Sequence, residues 1–296
     1  MQNNIPIFVA SDNNYASFVA TTIASICDNT GSFCQFYILD GGISEENKSL
    51  ISSLKQQYNN FDITFVKIEE EKYFKNFVAS SYVSMATYYR FIIPELFPGI
   101  SKVLYLDVDI IVNGDINELY NIDLENYIIA AVADEGNSDY IKMLKNNMDI
   151  NFNSTYFNAG ILLINFDKWR GENITSQLFE IEKKYHDKLL CNDQDILNNY
   201  FENNYKLLDP KYNSMIYRED MLIRHYYGAV KPWMFIPDIC IKKYDEFKLF
   251  WDIARKTPFY DELVKKCKYV SFHHLQLLDL YQRLGKKKLE AQIENA

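Results

Sequence analysis

The chain has 296 residues, 48% of them apolar, enough to bury a substantial core in one large domain or two smaller ones. A net charge of −9 and a pI near 5.1 argue against broad attraction to nucleic acid; a phosphorylated ligand would need a metal ion or local cations. Five widely spaced cysteines with no CxxC pair argue against a disulfide framework or a structural zinc site and fit a reducing compartment.

The opening "MQNNIPIFVA" lacks a basic n-region, and no segment reaches about 18 consecutive apolar residues. A cytoplasmic location is expected, with at most peripheral contact at the inner face of a membrane, and the sequons at Asn47, Asn153 and Asn173 read as chance matches. "IPIFVA" (5–10) reads as a strand and Tyr15 to Cys27 carries helical periodicity. "CQFYIL" (34–39) is strand-like, Ser44 is a candidate N-cap of a helix reaching about Tyr58, and "DITFVKI" (62–68) is a third strand. This alternation predicts a doubly wound, mostly parallel open sheet. Tyr82 to Phe91 reads as a helix ending near Pro94, followed by strands at Val103–Val112, Tyr127–Val132 and 157–166. Helices are expected near 174–187 and 194–202; beyond Pro210 the pattern loosens into aromatic-rich loops and a polar tail.

Within "VLYLDVDIIV" (103–112) two carboxylates interrupt a buried apolar run, where a charge is costly unless paired. Open α/β sheets bind ligands at the carboxyl ends of their strands, and Asp107 follows such a strand. Two residues apart on an extended segment, Asp107 and Asp109 would project to one side, where a divalent ion relieves their repulsion. A solvated acidic turn is the plain alternative. "HYYGAVKPW" (225–233) adds an imidazole, a glycine and an ammonium; His225 as a nitrogen ligand would favour manganese over magnesium, and Lys231 could neutralise phosphate charge.

Taken together, "DVD", "FNAG" (157–160), "NDQD" (192–195) and "HYYGAVKPW" resemble family 8 of the glycosyltransferases, which includes glycogenin and bacterial lipopolysaccharide galactosyl- and glucosyltransferases. "FVASDNNY" (8–15), "LDGGISEENK" (39–48) and "TYYR" (87–90) fit the same pattern in the same order, over roughly residues 5–233. The resemblance implies the GT-A fold, a Rossmann-like α/β domain over 1–235 with a C-terminal helical extension and polar tail over 236–296. It implies a retaining transferase using a UDP-hexose donor, a carbohydrate acceptor (a glycan or a lipid-linked one) and Mn²⁺, with Mg²⁺ as the substitute ion.

By motif, Asp107, Asp109 and His225 would hold the metal. Ala10, Asp12, Asn14 and Tyr15 match the uridine-binding stretch, with Tyr15 a candidate to stack on uracil and a core aromatic as its plain reading. Val108 joins the donor contacts, Gly228 and Lys231 match the diphosphate loop, and Arg90, Asn158, Asp193 and Gln194 match positions around the sugar. Gln194 would lie nearest the anomeric carbon; an amide is a poor nucleophile, so same-face attack is favoured, with Asp193 gripping sugar hydroxyls. Plain readings make Asp193 and Asp195 first-turn acids, Arg90 a surface cation and Asn158 a turn residue. His186, His273 and His274 read as structural, and Lys286–Lys288 as a solvated helix face. The stretch 136–156 is expected as a loop over the donor, and the region after Pro232 as part of the acceptor site. Two rivals stay open: a UDP-sugar-binding protein without catalysis, and a phosphohydrolase of the haloacid dehalogenase type, whose DxD normally comes near the start of the chain.

Overall fold

The computed structural model describes residues 4–78, 84–228, 231–234 and 244–267. Tyr82, His273, His274 and Lys286–Lys288 lie outside them. The chain packs as two compact units, Met1–His225 and Tyr226–Ala296.

The first unit is built on β1 (Asn4–Ser11), β2 (Phe33–Asp40), β3 (Phe61–Lys67), β4 (Lys102–Leu106), β5 (Ile110–Val112), β6 (Ile129–Ala133), β7 (Phe157–Asn165), β8 (Lys206–Leu208) and β9 (Ile223–His225). Seven of these form one sheet in the order β3-β2-β1-β4-β7-β6-β8, and β5 pairs with β9 in a small second sheet. All pairings in the large sheet are parallel except those of β7 with β4 and β6, so six strands run one way and β7 alone opposes them. The carboxyl ends of β1, β4 and β6 therefore share one edge of the sheet with the amino end of β7. Strands β4 and β7 are apolar almost throughout and buried, as a sheet covered on both faces requires. This is the mostly parallel α/β sheet the alternation predicts.

Helix Ala16–Asn29 follows β1 and is buried over nearly its whole length. Ser44 caps the next helix, its Oγ accepting from Asn47 N at 3.2 Å; α-helix runs over Glu45–Ser52 and tightens to a 3₁₀ turn at Ser53–Gln56, short of Tyr58.

Three expectations are corrected. The run Val103–Val112 is not one strand: β4 stops at Leu106 and β5 begins at Ile110 in the other sheet. Asp107 N still donates to Gly160 O (2.7 Å), but beyond it Thr22 Oγ1 takes the Val108 and Ile110 carbonyls at 3.0 and 3.4 Å, drawing the chain out of the ladder. Asp107 and Asp109 thus meet across a bend, not along an extended segment. Second, Met85–Phe91 is a 3₁₀ helix, and Pro94 sits in the first turn of a new short helix, Ile93–Leu96, where its missing N–H needs no partner. Third, 136–156 is not a plain loop. Helix Ser138–Asn147, capped by Asn137, packs Leu144 into a small core with Met148, Ile150, Tyr156 and Tyr185.

In the second unit, helix Tyr244–Ala254 sets Phe250 against Trp233, with ring centroids 5.1 Å apart, and Trp251 Nε1 donates to Pro232 O at 3.2 Å. Among the described residues no helix is long and apolar enough to cross a membrane.

Candidate active site

Polar side chains gather at the shared sheet edge. Asp12 follows β1, Asp107 follows β4, Asp134 follows β6, and Asn158 and Gly160 open β7. The β5–β9 register sets His225 opposite Ile110, beside Asp109. Asp107, Asp109 and His225 each offer a ligand atom, all within 4.8 Å of one another. His225 Nε2 lies 3.2 Å from Asp109 Oδ1 and 4.0 Å from Asp107 Oδ2. Two carboxylate oxygens and an imidazole nitrogen converging in this way suit a divalent cation of the manganese or magnesium type.

The space exists because residue 160 has no side chain. A Cβ there would overlap His225 Cε1 and come within 2.8 Å of Asp107 Oδ2 and 3.0 Å of Asn158 Oδ1. A glycine inside a strand commonly marks such a close approach. His225 is held from behind, its Nδ1 2.9 Å from Asn213 Oδ1.

Arg90 is not a surface cation: it is 4% exposed. Its guanidinium stacks 4.0 Å over the Tyr105 ring, bonds Asp107 Oδ1 through Nη2 and Asp193 Oδ2 through Nε at 3.0 Å each, and donates through Nη1 to Ala159 O. Burial acts to lower its pKa, and the charges of Asp193 and Asp107 override that and raise it. Asp193 also accepts from Thr87 Oγ1, and burial pushes its pKa up to about 6 against the opposing pull of Arg90. Gln194 is fixed at both ends of its amide: Oε1 accepts from Ala159 N at 3.0 Å and Nε2 donates to Asp134 Oδ2 at 3.1 Å. Asn158 Nδ2 approaches the same carboxylate oxygen at 3.4 Å.

Other expected residues are placed as follows. Asp12 Oδ1 caps a short 3₁₀ turn, accepting from Asn14 N and Tyr15 N at 2.8 and 3.2 Å. Tyr15 is 38% exposed, so it is no core aromatic; burial first, then the charges of Asp109 and Asp12, raise its pKa. Ala10 pairs with Leu39 near the end of β1, and Val108 is buried between the two acids. Gly228 and Lys231 belong to the second unit, Gly228 at φ +74° and Lys231 donating to Tyr226 O. Asp195 is structural: its two oxygens accept from Tyr156 Oη (2.6 Å), Leu190 N (2.8 Å) and Cys191 N (2.7 Å). His186 lies 2.6 Å from Glu182 through Nδ1, away from the cluster.

Sequence reasoning missed Asp134, Asn213, Thr87 and Gly160. Asp134 had a signal, since it follows a buried apolar strand as Asp107 does. Thr87 and Gly160 lie inside the quoted "TYYR" and "FNAG" stretches, and Asn213 had no signal.

Fold and cluster together define a class: an α/β protein whose strand ends gather two carboxylates and an imidazole that could hold a cation. The chain matches the model of the family described as "Glycosyl transferase family 8" over residues 6–236, and it belongs to that family. It is 29% identical to the lipopolysaccharide 1,2-glucosyltransferase of Escherichia coli over 296 aligned residues, spanning 92% of this chain and 84% of that one. It is 30% identical to general stress protein A of Bacillus subtilis (strain 168) over 253 residues, spanning 77% and 86%. A crystal structure of the galactosyltransferase LgtC in complex with donor and acceptor sugar analogs matches with a TM-score of 0.71 at 27% identity, spanning 86% of this chain and 96% of that one. The fold is therefore GT-A, and family membership sets aside the phosphohydrolase reading.

Proposed function

We propose that the protein transfers a hexose, glucose or galactose, from a UDP-sugar to a glycan or lipopolysaccharide-type acceptor with retention of anomeric configuration. We place this work in the cytoplasm, at most peripherally at the membrane. The convergence of Asp107, Asp109 and His225 carries the reading. Their donor set fits Mn²⁺, which when bound would neutralise charge developing on the departing diphosphate.

The chain's own residues take the remaining roles. Asp12, Asn14, Tyr15, Ala10 and Val108 bind the nucleoside end, and Gly228 and Lys231 the diphosphate. Arg90 orients Asp107 and Asp193 together, since one guanidinium bridges both carboxylates. Asp193 grips sugar hydroxyls beside Asn158. Gln194 has its oxygen held by a backbone N–H and is an amide, which favours same-face attack over a covalent intermediate. The departing phosphate oxygen then accepts the acceptor's proton.

A panel of UDP-sugars assayed for UDP release, with and without Mn²⁺, tests class, metal and sugar together. Release is expected from UDP-glucose or UDP-galactose, dependent on Mn²⁺ and abolished in Asp109→Asn. Donor binding with no release under any acceptor screen would instead favour a binding protein, and a glycosyl adduct on Asp193 or Gln194 would end the same-face route.

A further inference from the structure

We infer that Asn213 is a positioning residue that holds a proton of His225 on Nδ1, so that Nε2 is the ring nitrogen turned to Asp107 and Asp109. The inference rests on the cation-site reading above and adds to it a residue outside the ligand set.

A backbone amide has a fixed polarity. Gly160 N can only donate, and it lies 3.0 Å from one amide atom of Asn158, which must therefore be Oδ1. That same oxygen is 2.9 Å from an amide atom of Asn213, which must then be the donor Nδ2. The other end of the Asn213 amide is thereby its oxygen, and it lies 2.9 Å from His225 Nδ1. An oxygen there calls for an N–H on Nδ1. In the neutral ring the lone pair is left on Nε2, the atom 3.2 Å from Asp109 Oδ1. One backbone N–H in β7 so dictates, through two amides, which imidazole nitrogen carries the proton away from the acids.

Asn213 is held firmly enough to do this. It is fully buried and ends a 3₁₀ turn, Pro210–Asn213, that Asp209 caps through Lys211 N at 2.9 Å. The next residue, Ser214, exchanges backbone bonds with β9: Ser214 N donates to Ile223 O at 2.9 Å and His225 N to Ser214 O at 3.0 Å. Asparagine and histidine thus move as one piece. Partners behind a ligating histidine typically change metal affinity about 10- to 100-fold when removed.

The test has two arms. In metal-free wild-type protein, long-range ¹H–¹⁵N NMR of the imidazoles should show His225 with a proton on Nδ1; a ring protonated on Nε2 alone would overturn the inference. In the second arm, Mn²⁺ affinity is measured by electron paramagnetic resonance. Asn213→Leu, which fills the space without an acceptor, should weaken binding about 10- to 100-fold, whereas Asn213→Asp, which keeps an oxygen behind Nδ1 but sets another against Asn158 Oδ1, should recover only part of the loss. Equal affinity in wild type and a folded Asn213→Leu would overturn it. Failure of the wild type to bind Mn²⁺ would instead strike the cation-site reading, while the tautomer arm still stands by itself.

Discussion

Replacing Gly160 by alanine adds one methyl group and tests the whole construction of the cation site. Gly160 is not among the glycines at positive φ, so the backbone accepts alanine and only space is at stake. The added Cβ would sit 2.8 Å from Asp107 Oδ2, against the about 3.5 Å at which non-bonded heavy atoms rest, and would overlap His225 Cε1 outright. Neither neighbour can simply swing aside. Asp107 is tied to Arg90 at 3.0 Å, and the His225 ring is tied to Asn213 at 2.9 Å. Relief therefore needs a shift of the order of 1 Å in a ligand, a misplacement that costs about 100-fold in a positioned site. The overpacking should also destabilise the fold by about 1–3 kcal/mol. The expected result is a folded protein with Tm lowered by several degrees, Mn²⁺ affinity and UDP release each down about 100-fold. Gly171→Ala, at a position with open space around the added carbon, serves as the control. Wild-type Mn²⁺ binding and turnover in Gly160→Ala would refute the idea that these three side chains close on one ion.

Arg90→Ala should be worse for folding than for any single contact, because it leaves Asp107 and Asp193 without their shared buried partner; a loss of about 3–5 kcal/mol in urea unfolding is expected, and a loss under 1 kcal/mol would show the bridge to be idle. Asp195→Ala should lower stability by about 1–3 kcal/mol through the two backbone amides it leaves without an acceptor, yet keep the KM for donor; a large rise in KM would move Asp195 into the binding site. Asp193 has its pKa raised to about 6, so ionising it opposes folding: its favourable contribution is full below about pH 4 and is lost as pH rises through about 6. Metal-free wild type should therefore lose roughly 2–3 kcal/mol relative to Asp193→Asn over that window, and parallel stability curves for the two would contradict the shift.

Much of this was legible because periodicity and capping are local. The first three strands and the Ser44 cap follow from runs of a few residues, and the same holds for helices Ile174–Tyr185 and Asp193–Phe201. What was not legible is non-local. Nothing in "VLYLDVDIIV" says that a threonine hydroxyl on the helix after β1 will take the carbonyl of Val108 and split the run between two sheets. The reversed direction of β7 is equally silent, since a buried strand is apolar whichever way it runs. A surface cation stayed the plain alternative for Arg90 because a tight 3₁₀ turn and a helix share their first spacing; its burial against Tyr105 needs the fold. Asn213 is one asparagine in an asparagine-rich chain, and only its two neighbours in space give it a role.

The position of the site follows from the same break that the sequence hid. Had β4 continued through Val112, alternation would have put Asp107 and Asp109 on one face of the sheet, with its neighbouring strands on both sides and no third ligand within reach. Leaving the sheet at Asp107 lets Ile110–Val112 find a new partner, and the partner is β9. Register then does the rest. Ile110 opposite His225 sets the imidazole beside Asp109, and a slip of one residue would turn the histidine to the other face. That register is itself pinned from two directions: Asn113 N donates to Leu222 O at 2.7 Å beyond the strand pair, and Ser214 bonds across β9 on its far edge. Two short strands of three residues each thus do what sequence proximity cannot, joining a ligand at 225 to a pair of acids at 107 and 109. The convergence of the three side chains is a property of that small sheet as much as of the residues themselves.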